Sequence, residues 1–153
     1  MSALPPFQVL LDSYKDDVHR FLVGLLGPGD ADDCFQDTFL AALRAYPSLS
    51  NGHNLKSWLL TIAHHKAVDR TRARRPAAPL EDAPEPAVPP AEPDPALWAQ
   101  VAALPDKQRA AVVLRFVNDM AYRDVAAVLD CSEEAARRSA HEGVKRLREV
   151  IER

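Results

Sequence analysis

The chain has 153 residues, a formal net charge of -3 and an apolar fraction of 47%, as expected for globular protein. No stretch approaches the ~20 consecutive apolar residues of a membrane-spanning helix, and residues 1–7 lack the charged and apolar regions of a signal peptide. The totals therefore exclude a membrane-bound protein and predict a soluble, cytoplasmic one.

The first part of the chain has the apolar spacing of three helices. The first is predicted over residues 7–26, where apolar side chains recur at steps of three and four until a Gly-Pro-Gly sequence ends the helix. Asp30 is predicted to cap the second helix, which Pro47 ends. A polar loop over residues 48–54 then precedes a third helix over residues 55–75.

Residues 76–96 form a segment of a different kind. They contain eight prolines and five acidic residues but no lysine or arginine. Such a composition buries too little apolar surface to offset the entropy lost on ordering. We therefore expect a flexible, acidic, Pro-rich linker between two small domains, residues 1–75 and 97–153.

The second domain is also predicted to be helical. Asp94 and Pro95 suit the cap and first position of a helix, and Pro105 opens the next. A short helix follows over residues 122–129, and Ser132 can cap a long final helix. Nothing alternates with period two for long enough to indicate a sheet, so the predicted fold class is all-α.

Residues 122–139 have the layout of a helix-turn-helix. Ala126 is small where the two helices would touch, and Asp130 occupies the turn, where it tolerates a left-handed backbone better than most residues. Basic side chains recur along one face of the last helix, a pattern that suits phosphates and base edges: Arg137, Arg138, His141 and Lys145. The alternative is an ordinary helical hairpin with a solvated charged face.

Three polar residues form a stripe on the second helix. Asp33, Gln36 and Asp37 lie at positions i, i+3 and i+4. Carboxylates at this spacing can serve acid/base chemistry or a metal, but neither a histidine nor a phosphate-binding loop accompanies them. The open interpretations are a solvated helix face and a docking face for a basic protein partner.

The end of the third helix is strongly basic. Residues 63–75 contain five basic residues against Asp69 alone. His65 and Asp69 are four residues apart, yet no third metal ligand has usable spacing, so nucleic-acid contact is the preferred interpretation. Trp58 is either a core residue or a stacking surface for an unpaired base. Cys34 and Cys131 form no CxxC pair and are interpreted as small, partly buried packing residues, with a thiol sensor or a metal ligand as the alternative.

Two stretches in this order resemble a known family. Residues 30–75 and 104–147 resemble the second and fourth conserved regions of bacterial RNA polymerase sigma factors of the extracytoplasmic-function (ECF) group. The second stretch begins LPDKQRAAVVLRF and continues through YRDVAAVLDCSEEAARRSAHEGVKRL. The resemblance implies a promoter-specificity subunit that initiates transcription. It implies neither an enzyme nor a cofactor.

The resemblance also implies roles for particular residues. A docking site for the polymerase clamp helices would comprise Asp33, Gln36, Asp37 and Phe39. Recognition and melting of the minus-ten element would use Asn51, His53, Asn54, Lys56, Trp58, His65, Lys66, Asp69 and Arg70. Recognition of the minus-thirty-five element would use Arg123, Ser132, Arg137, Arg138, His141 and Lys145.

The implied partners are the clamp helices and flap of core RNA polymerase, promoter DNA and an anti-sigma factor. The competing class is a helix-turn-helix regulator that works without polymerase core, with residues 1–75 as an effector or dimerisation domain. Such a regulator would bind duplex DNA tightly by itself. Catalysis is disfavoured because the sequence shows no nucleophile-base pair, phosphate loop or metal-ligand cluster.

Overall fold

The computed structural model describes residues 5–49, 54–74 and 95–151, and all elements within them are helical. The elements of the first domain are α1 (Phe7–Leu26), α2 (Pro28–Ala45), a 3-10 turn (Tyr46–Ser48) and α3 (Leu55–Arg74). The second domain contains α4 (Pro95–Ala102), α5 (Asp106–Val112), a π-helical turn (Val113–Val117), α6 (Tyr122–Leu129) and α7 (Glu133–Ile151). The all-α prediction is confirmed for this part of the chain.

The predicted linker falls almost entirely outside the described residues. Only its last two residues, Pro95 and Ala96, are described, and they belong to the first turn of α4. Proline at the first helical position leaves no backbone N–H unpaired and has a preset φ, which explains why the helix begins there. The helix thus begins at the proline that the sequence placed at its first position, and the domain boundaries stay a prediction.

Two predicted helix starts had different outcomes. Asp30 was wrong as a cap, because α2 begins at Pro28 and the residue before it is Gly27, whose φ of 83° suits glycine. Asp30 instead lies in the first turn, where an acid is favoured by the helix dipole. Ser132 does cap α7, since its Oγ accepts a hydrogen bond from the Ala135 N–H at 3.0 Å.

The core of the first domain lies where α1, α2 and α3 meet. Its largest fully buried side chains include Phe21, Leu22, Leu59 and Leu60. They come from the apolar stripes of α1 and α3, and removing them from water supplies the main driving force for packing these helices.

The second domain packs α7 against α5 and α6. Val125, Val128 and Ala136 are buried at the helix-turn-helix contact, and Asp130 in the turn has a left-handed φ of 55°. Further along α7, Gly143 is buried beneath α5, where an added Cβ would lie 2.5 Å from Val112 Cγ2. The absence of a side chain at this position therefore sets how closely α5 and α7 approach.

The two domains pack against each other rather than standing apart. Helix α6 contacts α3, the π-helical turn contacts α1, and the buried apolar residues of both domains form one continuous cluster. The predicted picture of two cores joined only by a linker did not include this contact.

Candidate protein-binding and nucleic-acid-binding surfaces

The polar stripe on α2 is exposed as predicted. Asp33, Gln36 and Asp37 all lie on the solvent side of the helix. Phe39 does not share that surface: it is 8% exposed, and its ring lies 4.8 Å from that of Phe35, centroid to centroid. Successive residues turn about 100° around a helix, which carries Phe39 towards the core. Phe39 is therefore nearly buried in this conformation, and its contact with a protein partner stays a prediction.

Two leucines that the sequence stripe omitted complete the same face. Leu40 and Leu43 are 52% and 50% exposed. They follow Gln36 by four and seven residues, so they lie above it on the helix. The sequence did carry a signal for them: the two leucines share the helical spacing of the polar stripe, whereas the buried residues of α2 lie on a different side of the helix. The face combines acids, an amide and apolar surface.

Arg70 joins this face to the basic end of α3. Its Nη2 donates to Asp33 Oδ2 at 3.2 Å, and its Nε lies 3.5 Å from Asp30 Oδ1. The Arg70 side chain is 28% exposed, so solvent screens both pairs only in part. Arg70 was predicted to contact DNA, and in this conformation it holds α2 and α3 together.

Residues 50–53 of the loop before α3 lie outside the described residues, and they include Asn51 and His53, both predicted to contact the minus-ten element. Asn54 has a left-handed φ of 55°, and its Nδ2 donates to Asp124 Oδ1 of α6 at 2.9 Å. One turn into the helix, Lys56 Nζ donates to the Asn118 carbonyl at 2.9 Å. Both predicted DNA contacts are thus bonded to the second domain.

Trp58 lies at the border between core and surface. It is half-buried, and its ring centroid lies 6.1 Å from that of Tyr46, whose hydroxyl donates to the Pro5 carbonyl. Further along α3, His65 and Asp69 are exposed and Lys66 is half-buried. The side chains that remain available to DNA on this helix therefore lie towards its C-terminal half.

His64 faces inward, towards the second domain. It lines a cavity of about 130 Å³ between α3 and α5, together with Leu25, Asp106 and Arg109. Its Nδ1 is buried and has no hydrogen-bond partner among the described residues. Burial, followed by the charge of neighbouring His65, lowers the pKa of His64, while Asp106 acts in the opposite direction. Neutral histidine is the favoured form here.

Cys34 and Cys131 have opposite environments. Cys34 is buried in the first domain, and desolvation raises the pKa of its thiol to about 11. Cys131 lies exposed in the turn before α7, so its interpretation as a partly buried packing residue is wrong. Since the thiolate is the reactive form, Cys34 is protected from alkylation.

The basic face of α7 is open to solvent. Its exposed members among the predicted DNA contacts are Arg137, Arg138, His141 and Lys145, and Arg123 of α6 is exposed as well. Ser132, also predicted to contact DNA, has its oxygen engaged in capping α7. Glu142 accepts a hydrogen bond from Gln108 of α5 at 3.3 Å, which holds its carboxylate to one side of the basic face.

Comparison with known proteins identifies the family. The Sigma-70 region 2 family model matches residues 10–76, and the Sigma-70 region 4 model matches residues 95–147. The ECF RNA polymerase sigma factor SigC of Mycobacterium tuberculosis is 32% identical, with 81% of this chain and 71% of SigC covered. The RNA polymerase sigma factor CarQ of Myxococcus xanthus is also 32% identical, with 95% of this chain and 88% of CarQ covered. The chain belongs to the ECF group of RNA polymerase sigma factors.

The fold of this chain also matches that of solved sigma factors. The sigma factor RpoE of Bartonella quintana, crystallised with the anti-sigma factor NepR, is 25% identical and superimposes with a TM-score of 0.82 over 95% of this chain and 96% of RpoE. CnrH, solved with the cytosolic domain of CnrY, shares the fold with a TM-score of 0.74 at 23% identity.

Family membership decides between the two functions considered from the sequence. The sigma factor directs transcription initiation, and the regulator that works without polymerase core is not favoured. Within the described residues, no helix is long and apolar enough to cross a membrane, and no three potential metal ligands lie together.

Proposed function

We propose that this sigma factor binds core RNA polymerase through the exposed face of α2 and reads promoter DNA through two surfaces, α3 with its preceding loop, and α7. The supporting observation is the division of chemistry among exposed side chains. Helix α2 presents acids, an amide and leucines, whereas α7 presents Arg138, His141 and Lys145. Surfaces with such different chemistry suit different partners.

The α2 face suits a basic, partly apolar protein surface. Asp33, Gln36 and Asp37 supply charge complementarity, which favours fast and specific encounter. Leu40 and Leu43 supply apolar area, and burying it adds about 25 cal/mol per Å². We assign this face to the clamp helices of core polymerase, with Leu40 and Leu43 taking the place first given to Phe39.

Substitutions on α2 test this assignment. The double variant Asp33→Ala/Gln36→Ala, and separately Leu43→Ala, should each weaken binding to core polymerase about tenfold or more while helical content is retained. Asp16→Ala is the matched control, because Asp16 is an exposed acid on α1. Affinity is measured by competition with a fluorescent wild-type chain. Unchanged affinity in both variants would exclude α2 as the docking face.

The DNA-reading surfaces should be weak in isolation. A few phosphate contacts give non-specific dissociation constants of roughly 10⁻⁴ to 10⁻⁶ M at physiological salt. Binding to one polymerase makes the second DNA contact intramolecular, which raises the effective concentration. We assign minus-ten recognition to α3 and its preceding loop and minus-thirty-five recognition to α7.

In vitro transcription tests the whole proposal. Purified chain is added to core polymerase on a promoter library, and transcript start sites are sequenced. We expect start sites that depend on the chain and share elements upstream, while the chain alone binds duplex DNA poorly. Tight duplex binding without polymerase, together with no dependent start sites, would support the stand-alone regulator instead.

We also propose an anti-sigma protein as a partner. RpoE of Bartonella quintana was crystallised with one. In this chain the exposed Leu40 and Leu43 offer apolar surface that such a protein would share with core polymerase. A candidate inhibitor should abolish initiation in the transcription assay, and excess core polymerase should restore it. Inhibition that excess core polymerase does not relieve would place the inhibitor elsewhere.

A further inference from the structure

The cavity that contains His64 has the chemistry of a small-molecule site. Its volume is about 130 Å³, and residues of α1, α3 and α5 line it. Apolar side chains form one part of the lining: Leu25 and Leu26 of α1, Val68 of α3 and Ala110 of α5. Ligand sites in proteins typically combine such a lining with a few polar groups that orient the ligand.

His64 supplies the first polar group of the site. Its Nδ1 is buried and has no hydrogen-bond partner among the described residues. Leaving a buried polar atom unpaired costs free energy, so a ligand that pairs with it gains that free energy on binding. Burial lowers the pKa of His64, so the ring is neutral and suits a hydroxyl group rather than an anion.

Arg72 supplies the second polar group. It is exposed on the α3 wall and has no ion pair within the part of the chain that the structure describes. On the α5 wall, Arg109 Nη2 lies 3.6 Å from Asp106 Oδ1, so those two charges offset each other. The charge that remains at the rim is positive. A guanidinium matches the planar geometry of a carboxylate, so an acid is the ligand group that suits Arg72.

The two polar groups lie towards different ends of the site. Arg72 follows His64 by eight residues, which advances the helix by about 12 Å. Helical side chains lean towards the N-terminus, so the long Arg72 side chain can reach back over the cavity. A ligand that meets both residues therefore has its hydroxyl and its carboxylate at opposite ends.

The volume limits the body of the ligand to about one ring. An apolar cavity of about 150 Å³ engineered into another protein binds benzene. A cavity of about 130 Å³ with an exposed rim accommodates one ring inside and a carboxylate outside. Packing of the ring against Leu25, Leu26 and Val68 removes apolar surface from water and supplies the hydrophobic part of the affinity.

We propose that the cavity between α3 and α5 binds a small aromatic monocarboxylate with a hydroxyl group at the opposite end of the ring. The hydroxyl pairs with His64 Nδ1, the ring packs on the apolar lining, and the carboxylate pairs with Arg72. The inference does not depend on which surfaces bind polymerase and DNA. It adds a small-molecule ligand to the macromolecular partners of the sigma factor.

NMR titration of the full chain tests for the site. The probe is para-hydroxybenzoate, and its affinity is measured by saturation transfer to the ligand. For a ligand of this size we expect a dissociation constant of about 1 mM or lower. In a chain with ¹⁵N-labelled histidine, the ring resonances of His64 should shift with the same saturation, whereas those of exposed His19 should not. No saturable shift of the His64 resonances up to about 10 mM would overturn the site.

Two analogues separate the polar ends of the ligand. Benzoate lacks the hydroxyl group, and para-hydroxybenzamide lacks the negative charge. Each should bind about two- to tenfold more weakly than para-hydroxybenzoate, the usual effect of losing one hydrogen bond. Equal affinity for all three compounds would overturn the chemical class and leave only a non-specific apolar cavity.

Variants of Arg72 test the pairing with the carboxylate. Arg72→Ala should lose the preference for para-hydroxybenzoate over para-hydroxybenzamide, and Arg72→Lys should keep part of it because the positive charge remains. Arg148→Ala is the matched control, since Arg148 is an exposed arginine of α7 outside the cavity lining. A preference that persists in Arg72→Ala, or that Arg148→Ala loses equally, would overturn the role of Arg72.

A variant of His64 tests the pairing with the hydroxyl. His64→Leu should still bind benzoate but lose the preference for para-hydroxybenzoate over benzoate. His19→Leu changes an exposed histidine outside the lining and should keep the preference. If His64→Leu does not fold, the Arg72 variants at their exposed site still decide the proposal. An unchanged preference in folded His64→Leu would overturn the role of His64.

Discussion

The guanidinium of Arg137 lies 4.9 Å from the centre of the Tyr122 ring, so α7 contacts the first residue of α6. Arg137 Nη2 also lies 3.4 Å from Glu133 Oε1. The Arg115 guanidinium lies over the same ring at 4.5 Å. Tyr122 therefore connects the π-helical turn, α6 and α7 at the edge of the basic face.

Replacing Tyr122 should lower stability and loosen Arg137. Each cation-π contact at an exposed site contributes about 0.5–1 kcal/mol, so Tyr122→Leu should lower the free energy of unfolding by about 1–2 kcal/mol. Tyr122→Phe keeps an aromatic face and should lose much less. Urea denaturation measures both variants. Equal losses in the two variants would show that the ring face contributes nothing beyond its apolar area.

Arg138 should contribute one phosphate contact to upstream DNA. It is exposed, and it has no ion pair within the described residues, whereas Arg137 is paired with Glu133. Arg138→Ala should reduce the slope of log K against log salt by about one for holoenzyme on a minus-thirty-five duplex. Lys15→Ala, an exposed cation on α1, controls for the change in net charge. A slope that moves equally in both variants would place Arg138 away from the DNA.

Features with a local cause were predictable from the sequence. The stripe and ends of α1, the cap at Ser132 and the left-handed Asp130 each depend on a few neighbouring residues. The burial of Phe39 was not predicted, because its role came from a family motif, whereas burial depends on which side of α2 meets α1 and α3. Asn118 carried no signal, since its partners Lys56 and Asp17 lie in another domain.

Gly143 should be intolerant of any side chain. Alanine normally favours a helix by about 1 kcal/mol over glycine. Here the new Cβ would lie 2.5 Å from Val112 Cγ2, a stiff β-branched side chain, and 3.4 Å from the Gln108 carbonyl. Overpacking costs about 1–3 kcal/mol, so Gly143→Ala should lower the free energy of unfolding despite its better propensity.

Gly29 provides the matched control for this substitution. It is exposed in the first turn of α2. Apart from its chain neighbours and the backbone of its own helix, no atom of the described residues lies within 4 Å of an added Cβ. Gly29→Ala should therefore leave stability unchanged or raise it by up to about 1 kcal/mol. Urea denaturation compares the two variants. A stabilised Gly143→Ala protein would show that α5 and α7 separate at little cost.

The free energy of unfolding should depend on pH through His64. Burial lowers the pKa of His64 in the folded chain below its ordinary value of 6.5. Between the two pKa values the unfolded chain binds more protons than the folded chain, so stability rises with pH in that range. His64 therefore does not lower the free energy of unfolding above about pH 7. As the pH falls below 6.5, that free energy decreases until the pH passes the pKa of His64 in the folded chain.

Two histidine variants separate this effect from general acid destabilisation. One histidine contributes at most about 1.4 kcal/mol per pH unit, and His64→Leu should remove that part of the slope between pH 7 and 5. The substitution also removes the buried Nδ1 that lacks a partner among the described residues. His141→Gln, at an exposed site on α7, controls for the loss of a histidine outside the cavity. If His64→Leu and wild type lose stability in parallel on acidification, protonation of His64 does not control the junction between α3 and α5.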